Sequence, residues 1–213
     1  MAGVAIVSSD AGAAKLSSRW AGHQVVFGER RIPFMGTLKT RTDTFVLAEL
    51  SEEGGALELR ERPCHIEFAE VAGVKVRMEP ETLERLPEVV VRFRKDARGQ
   101  WAAGPWGSGF GASDDDGDGH PGVTLEVEAP LCGGRLYVRS EAESLARAQR
   151  EGEGLRGELK VRLKQHILGA EGSCLSALAS DSEERLSGKF RYAPVEAGTD
   201  CAAMAGSDWP RVE

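Results

Sequence analysis

The sequence predicts an all-β protein whose antiparallel strands close into a mainly up-and-down β-barrel. Three observations predict this fold class. Apolar and polar residues alternate through most of the 213 residues, the links between alternating segments are short, and helix signals are sparse. Consecutive side chains of a strand point to opposite faces, so this alternation is typical of strands with one buried and one solvated face.

The clearest alternating segment runs from Glu158 to Leu168. Four of its odd positions are apolar, namely Leu159, Val161, Leu163 and Ile167. The even positions from Lys160 to His166 are polar. The same alternation surrounds Val76, Val91 and Leu125. Weaker runs occur at Gln24–Phe27, Thr37–Lys39, Thr44–Leu50, Ala56–Arg60, His65–Phe68, Arg135–Val138 and Gly188–Tyr192. Together these segments predict about ten or eleven strands.

Many of the predicted strands are separated only by short links rich in Gly, Glu or Asp, such as Glu53-Gly54-Gly55. Short links favour antiparallel neighbours, because a parallel pair needs a long crossover. Two segments show helix signals. Pro80, followed by Glu81, predicts one or two helical turns. The segment Ser140–Arg150 is compatible with a short helix, because its acidic residues come early and its arginines late.

A sheet with one apolar face must close on itself or fold over as two packed layers. The order of short links favours the barrel, and a two-sheet β-sandwich is the alternative. We find no internal repeat and no composition break that marks a linker. The prediction is therefore a single β domain over residues 1–213, with irregular termini at about 1–14 and 197–213.

Composition excludes several classes of protein. The chain has 34 acidic and 27 basic residues, a net charge of −7 and a hydrophobic fraction of 41%. An acidic balance without a long basic run argues against nucleic acid as the main partner. No apolar stretch approaches the roughly 20 residues of a transmembrane helix. We expect a soluble globular protein whose oligomeric state the sequence does not define.

The four cysteines, Cys64, Cys132, Cys174 and Cys201, are far apart and form no C-x-x-C pair. This spacing does not suit a zinc ribbon or a thioredoxin-like motif. Two disulfides are favoured over four buried thiols, and a Cys174–Cys201 pair is preferred because it would tether the C-terminal tail. Disulfides are typical of oxidising compartments. The N-terminus has no signal-peptide pattern. We therefore expect a mature exported chain that is secreted, periplasmic or at the cell surface.

The sharpest motif is an acidic loop within Gly111–Thr124, where Asp114, Asp116 and Asp118 alternate and Gly119 follows at once. The motif resembles the first half of the D-x-D-x-D-G calcium loop of EF-hands, dockerin modules and thrombospondin type 3 repeats. Calcium takes six to eight oxygen ligands, which alternate residues of a tightly curled loop can supply. The glycine permits the sharp turn.

The resemblance implies a calcium site in which the backbone carbonyl of His120 occupies the seventh loop position. Leu125 stands at the twelfth position, where an EF-hand has a bidentate Glu, and no helix flanks the motif. We therefore expect a calcium loop between strands, completed by Glu126 or by a distant carboxylate. Such a site should be weak, with a Kd of roughly 10⁻⁴ to 10⁻³ M. The alternative is a solvated acidic turn.

Three aromatic residues, Trp101, Trp106 and Phe110, lie in the glycine-rich segment before the acidic loop. Rings on such a segment could contact a sugar or cover the mouth of an apolar cavity. Plugging one end of the β core is the simpler interpretation.

The sequence favours a binding function over catalysis. It contains no nucleophile elbow, phosphate-binding loop or paired histidines with metal-ligand spacing. The predicted barrel resembles lipocalins in architecture, which implies an apolar small-molecule ligand. One alternative is a structural or accessory subunit of a cell-envelope assembly. Another is a secreted hydrolase or isomerase with carboxylates at the barrel mouth. An apolar cavity would favour the carrier, and two facing carboxylates would favour the enzyme.

Overall fold

The computed structural model describes residues 18–32, 36–130, 132–206 and 208–212. Within these ranges the chain forms ten strands and three short helices. Their bounds are β1 Ser18–Ile32, β2 Gly36–Glu53, β3 Ala56–Phe68, β4 Lys75–Arg77, α1 Pro80–Arg85, β5 Val89–Lys95, β6 Trp101–Phe110, β7 Val123–Glu128, β8 Gly134–Glu151, β9 Gly154–Glu171, α2 Ser173–Leu178, β10 Ser182–Pro194 and α3 Cys201–Met204. Strands hold 66% of the described residues and helices 7%, so the predicted all-β class is confirmed.

All neighbouring strands pair antiparallel in one sheet of order β4-β7-β8-β6-β5-β3-β2-β1-β10-β9. An additional antiparallel pairing joins β8 to β9 and closes a ring of eight strands. The sheet is therefore barrel-like. Most ring neighbours are consecutive in the chain, as the short links predicted.

The sheet branches at β8, because β6 and β7 pair with different halves of the same edge of this strand. β7 pairs with Gly134–Val138 of β8, and β6 pairs with residues from Ser140 to Ala148. The opposite edge of β8 pairs with β9 over almost its whole length. β6 therefore completes the ring along the C-terminal half of β8. Along the N-terminal half, β7 and then β4 extend the sheet beyond the ring.

The turn between β2 and β3 shows why glycine is needed in these short links. Gly54 and Gly55 have φ angles of +58° and +75°. A two-residue hairpin turn with positive φ at both positions matches the twist of the flanking strands, and glycine adopts these angles without steric cost.

The main core lies inside the ring and is built from alternate residues of its strands. Trp20, Leu57, Leu59, Phe93 and Phe190 are among its members, all under 5% exposed. Burying side chains of this size contributes about 1.5–3 kcal/mol each, so the inward alternation is the main stabilising feature of the fold.

The predicted helix at Pro80 is present as α1, but the helix considered for Ser140–Arg150 is wrong. That segment belongs to β8. Its inward residues are small and alternate with period two, as in Ser140, Ala142, Ser144 and Ala146, while the intervening residues are mainly charged. Pairing with neighbours on both edges satisfies the backbone of β8, which overrides the weak dipole pattern of the charges.

The outer face of β1 and β2 is covered by the end of the chain, residues 195–206 and 208–212, which we call the C-terminal clasp. Ala21 and Leu47 on the strands form a buried cluster with Met204, with Trp209 packed against it. Arg19 Nε donates to the carbonyl of Thr199 at 3.0 Å. The tail predicted to be irregular over 197–213 therefore contains α3 and packs on the sheet, and the N-terminal segment 1–14 lies outside the described residues.

Two disulfides join Cys64 to Cys201 and Cys132 to Cys174, with Cα–Cα distances of 5.3 and 5.5 Å. The preferred Cys174–Cys201 pairing is wrong. The C-terminal tail is tethered, as expected, but to β3, because the clasp lies on the outer face of the sheet and places Cys201 beside Cys64. Across the described ranges, no helix is both long enough and apolar enough to cross a membrane.

Candidate functional site

The ring encloses a cavity of about 290 Å³. Apolar side chains of six ring strands dominate its lining, chiefly Val26, Val46, Val89, Val91, Phe93, Trp106, Leu159, Val161, Leu163, Leu186 and Phe190. Its volume is at the small end of the range typical of ligand pockets, about 300–1,000 Å³. The alternation that builds the core therefore also builds a mainly apolar cavity inside the ring.

The cavity exists because the inward residues of β8 are small. Ser140, Ala142, Ser144 and Ala146 all line it. Side chains of this size leave a gap that the larger residues of the facing strands do not fill. Protein interiors normally pack with few voids larger than a water molecule, so a cavity of this volume is a specific feature of the fold.

Three polar side chains from three strands meet in the cavity wall, and we call Gln24, Glu61 and Tyr192 the polar triad. The hydroxyl of Tyr192 donates to Glu61 Oε1 at 2.6 Å. Gln24 Nε2 donates to Glu61 Oε2 at 2.9 Å and to the hydroxyl oxygen of Tyr192 at 2.6 Å. All three line the cavity. The triad is a polar site within an apolar space.

Glu61 lies at the inner limit of the cavity. It follows Leu57 and Leu59 on the inward face of β3, and both leucines are fully buried in the core without lining the cavity. Gly22 on β1 makes room for the ring of Tyr192, because a Cβ at Gly22 would lie 2.2 Å from that ring. The absence of a side chain there allows the tyrosine hydroxyl to reach Glu61.

Burial raises the pKa of Glu61 to about 7, although the hydrogen bonds from Tyr192 and Gln24 oppose the shift. Glu61 is only 7% exposed. A carboxylate in an apolar environment loses its hydration, and neutral donors compensate only in part. Glu61 therefore changes charge near neutral pH, which is unusual for a glutamate.

The outer end of the cavity is covered by residues next to α1. Leu86 and Pro87, which follow this helix, line the cavity together with Ile66 and Phe110. Leu83 and Leu86 pack with Val123 in another small cluster, separate from the main core. This cluster connects the cavity cover to the start of β7 and thus to the acidic loop.

The acidic loop brings together the three aspartates predicted to bind metal. Asp114, Asp116 and Asp118 each place a carboxylate oxygen within 4.8 Å of the others. The loop folds around their side chains, since Asp114 accepts from the amides of Asp118 and Gly119, each at 3.0 Å. Glycines at 117, 119 and 122 have positive φ angles and allow the tight curl.

Asp116 is the most buried of the three clustered aspartates, at 6% exposed. Its Oδ2 accepts from the amide of Thr124 at 2.8 Å and from the hydroxyl of Thr82 on α1 at 3.3 Å. Its Oδ1 is buried without a hydrogen-bond partner among the described residues. Such an oxygen is costly to bury and marks a place where a cation would compensate. Arg85 of α1 also donates to the backbone carbonyl of Asp116.

The other predicted metal residues lie beside this cluster. The imidazole of His120 stacks on Tyr137, with ring centroids 4.2 Å apart. Glu126 lies on β7, paired across to Arg77 and Arg135, and is not one of the residues whose oxygens group with the aspartates. Thr124, which alternation assigned to the polar face, is 8% exposed and its hydroxyl donates to Asp118 at 2.6 Å.

The three aromatic residues of the glycine-rich segment divide between two places. Trp101 packs in the main core, 8% exposed, and does not line the cavity. Trp106 and Phe110 line the cavity. The segment carrying them is β6, whose register shifts between Ala103 and Trp106.

A second buried polar group lies on the opposite face of the sheet, beneath the C-terminal clasp. The amide of Val212 donates to His23 Nδ1 at 2.9 Å, so His23 carries its proton on Nε2 and donates to Asp43 Oδ1, also at 2.9 Å. Arg41 forms two hydrogen bonds with Asp43. This group holds the clasp and has no access to the cavity inside the ring.

Sequence reasoning missed the polar triad. The chain separations between its members are 37, 131 and 168 residues, so no local motif joins them. One signal was available. Continuing the alternation of Leu57 and Leu59 places Glu61 on the inward face, and a glutamate there is exceptional.

Comparisons of the chain with protein-family models, with curated proteins and with solved structures gave no match. The cavity and the acidic loop are therefore the features of the molecule from which we infer a function.

Proposed function

We propose that this protein binds an apolar small molecule inside the ring of strands, without catalysing a reaction. The observation that supports this function is the cavity of about 290 Å³ with its mainly apolar lining and the polar triad in its wall. Burial of apolar surface would drive binding at about 25 cal/mol per Å², and the triad would orient the ligand.

The cavity also favours this function over the two alternatives. An accessory subunit that acts through its surface needs no interior cavity. A hydrolase or isomerase of the predicted kind needs two carboxylates facing each other, and Glu61 is the one carboxylate among the described residues that line the cavity.

Binding is tested with 1-ethylnaphthalene, an apolar fluorescent probe without a hydrogen-bonding group. We expect saturable binding to the wild-type protein, measured by fluorescence and confirmed by native mass spectrometry. Ala142→Phe places a large ring in the cavity and should abolish binding. Glu143→Phe, at the adjacent outward position, is the matched control and should bind normally. Equal binding by all three proteins would contradict the proposed location.

We further propose that the acidic loop binds one calcium ion and that the protein is exported. Three clustered carboxylates and the unpartnered Oδ1 of Asp116 support the metal site. Two disulfides support an oxidising compartment. The ion would hold the loop and, through the contacts of Asp116 with Thr82 and Arg85, the helix α1 next to the cavity cover.

Calcium binding is tested by thermal and urea unfolding with 10 mM calcium or a chelator. With a Kd of roughly 10⁻⁴ to 10⁻³ M, calcium should raise the free energy of unfolding by about 1.4 to 2.7 kcal/mol. Asp116→Asn keeps an acceptor for Thr124 and should remove this gain. Asp115→Asn removes the same charge beside the cluster and should keep it. A calcium response that survives Asp116→Asn would refute the site.

A further inference from the structure

The polar triad limits the hydrogen bonds that a ligand can form with Glu61 and its two partners. Gln24 has two amide hydrogens, one donated to Glu61 and one to Tyr192. Tyr192 has one hydroxyl hydrogen, which it donates to Glu61. While Glu61 is ionised, all the donor hydrogens of the triad are therefore used within it. What remains for a ligand is acceptor capacity, the second lone pairs of the Glu61 carboxylate and the carbonyl oxygen of Gln24.

The charge of the cavity lining also favours a ligand group that donates hydrogen bonds over an anionic one. Among the described residues that line the cavity, none is Lys, Arg or His, and the titratable groups are Glu61 and Tyr192. The cavity is therefore neutral or negative and never positive near neutral pH. An anionic ligand such as a fatty acid would bring its charge against Glu61 without a compensating cation, at a high desolvation cost.

The aromatic lining adds a second attraction for a cation. Phe93, Trp106, Phe110, Phe190 and Tyr192 all border the cavity. The faces of aromatic rings attract ammonium groups, by about 0.5 kcal/mol when exposed and about 2 kcal/mol when desolvated. A charge-assisted hydrogen bond to a carboxylate is also about twice as strong as a neutral one.

We propose that the ligand is an apolar amine whose ammonium group donates hydrogen bonds to the carboxylate of Glu61. This inference rests on the proposed binding function and specifies its ligand class. The apolar body occupies the space left by Ala142 and Ser144, and the ammonium group lies at the inner limit of the cavity beside the triad. The bound ion pair keeps Glu61 ionised, so an ammonium ion entering the cavity displaces the proton of any protonated Glu61.

Proton displacement gives the pairing a pH signature. The pKa of Glu61 is raised to about 7 by burial, and the groups that face it, Tyr192 and Gln24, are neutral in this range. Below pH 7 an amine must displace a proton, so its affinity should rise with pH and level off above about 8. The affinity of a neutral probe should lack this rise.

The test uses four naphthalene probes of nearly equal shape against the full chain. They are 1-naphthylmethylamine, 1-naphthylmethanol, 1-naphthoate and 1-ethylnaphthalene. At pH 8 we expect the amine to bind about tenfold tighter than 1-ethylnaphthalene and the naphthoate to bind weakest. In Glu61→Gln, the advantage of the amine should fall to about threefold or less and its pH dependence should disappear. Glu61→Leu, which fills the site with an apolar group, should retain binding of 1-ethylnaphthalene and show that the cavity is intact.

Three outcomes would overturn the inference. The first is equal affinity for the amine and 1-ethylnaphthalene, and the second is tighter binding of the naphthoate than of the amine. The third is equal affinity for the alcohol and the amine. Each would contradict an ion pair between the ammonium group and Glu61. In all three cases 1-ethylnaphthalene would still bind, so the proposed binding function would stand. Failure of every probe to bind the wild-type protein would instead refute the binding function itself.

Discussion

Two buried carboxyl groups on neighbouring strands show opposite behaviour on the two faces of the sheet. Glu61 on β3 faces the cavity, and burial raises its pKa to about 7 against two neutral donors. Asp43 on β2 faces the clasp. Burial would raise its pKa as well, but the hydrogen bonds from Arg41 and His23 and the charge of Arg41 outweigh burial and lower the pKa.

The comparison separates a structural acid from an acid available to a ligand. Asp43 has a cationic partner, so its charge is permanent and holds the outer layer of the protein. Glu61 has no cationic partner among the described residues that it contacts, so its charge depends on pH. Both acids are buried, so the difference between their pKa values comes from the charge of their hydrogen-bond partners. We expect changes under the clasp to alter stability, and changes at the triad to alter binding.

The largest expected effect comes from releasing the clasp. Replacing both Cys64 and Cys201 with Ser opens a link of 137 residues in sequence and should lower the free energy of unfolding by about 4 kcal/mol in urea titrations. The Cys132/Cys174 pair spans 42 residues, and its removal should cost less. Affinity for 1-ethylnaphthalene should stay within about twofold in both variants. If a variant without the Cys64–Cys201 disulfide folds but binds no probe, the clasp and the cavity are not independent of each other.

The next effect is the pH dependence of stability from Glu61. Because its folded-state pKa is raised from 4.5 to about 7, the protein holds a proton that the unfolded chain releases. This contribution is fully present below pH 4.5 and is lost as pH rises through 7, about 3 kcal/mol in all. Urea unfolding between pH 4 and pH 8 should show the decline. In Glu61→Gln the decline should be smaller by about this amount, and an unchanged slope would mean that another group is responsible.

Asp43→Asn should lower the free energy of unfolding at pH 7 by about 2 kcal/mol, because it leaves His23 and Arg41 without their buried anion. The pKa of Asp43 is lowered, so its contribution is present above the unfolded value of 3.8 and is lost as pH falls through the folded value. The difference between variant and wild type should therefore shrink below pH 4. A difference that persists under these acidic conditions would show that Asp43 stabilises by shape rather than charge.

The smallest effect is expected on the outer face that the clasp leaves open. Leu145 on β8 is 47% exposed, and Leu145→Lys should change the free energy of unfolding by less than about 0.5 kcal/mol. Leu47→Lys, beneath the clasp, is the contrasting variant and should be strongly destabilising, since Leu47 is only 1% exposed. Similar thermal shifts in the two variants would mean that the clasp does not bury the strands as described.

Sequence reasoning was sufficient for the fold class and for the acidic loop because both depend on local spacing. Alternation is a property of neighbouring residues, and Asp114, Asp116 and Asp118 are brought together by the turn they belong to. Alternation also failed locally, at Ser140–Arg150, where the small inward residues gave little contrast in hydrophobicity with the charged ones. The cysteine pairing and the polar triad depend on which strands become neighbours, and that is decided by long-range closure of the ring.

The branch at β8 has a consequence for association between chains. A closed ring gives every one of its strands two neighbours, so within the described part of the chain the order of the sheet leaves β4 as the strand with a single neighbour. That edge is three residues long, and two of them are Lys75 and Arg77. A short edge with charged side chains is a poor template for strand addition, so β4 is protected against pairing with a strand of another chain.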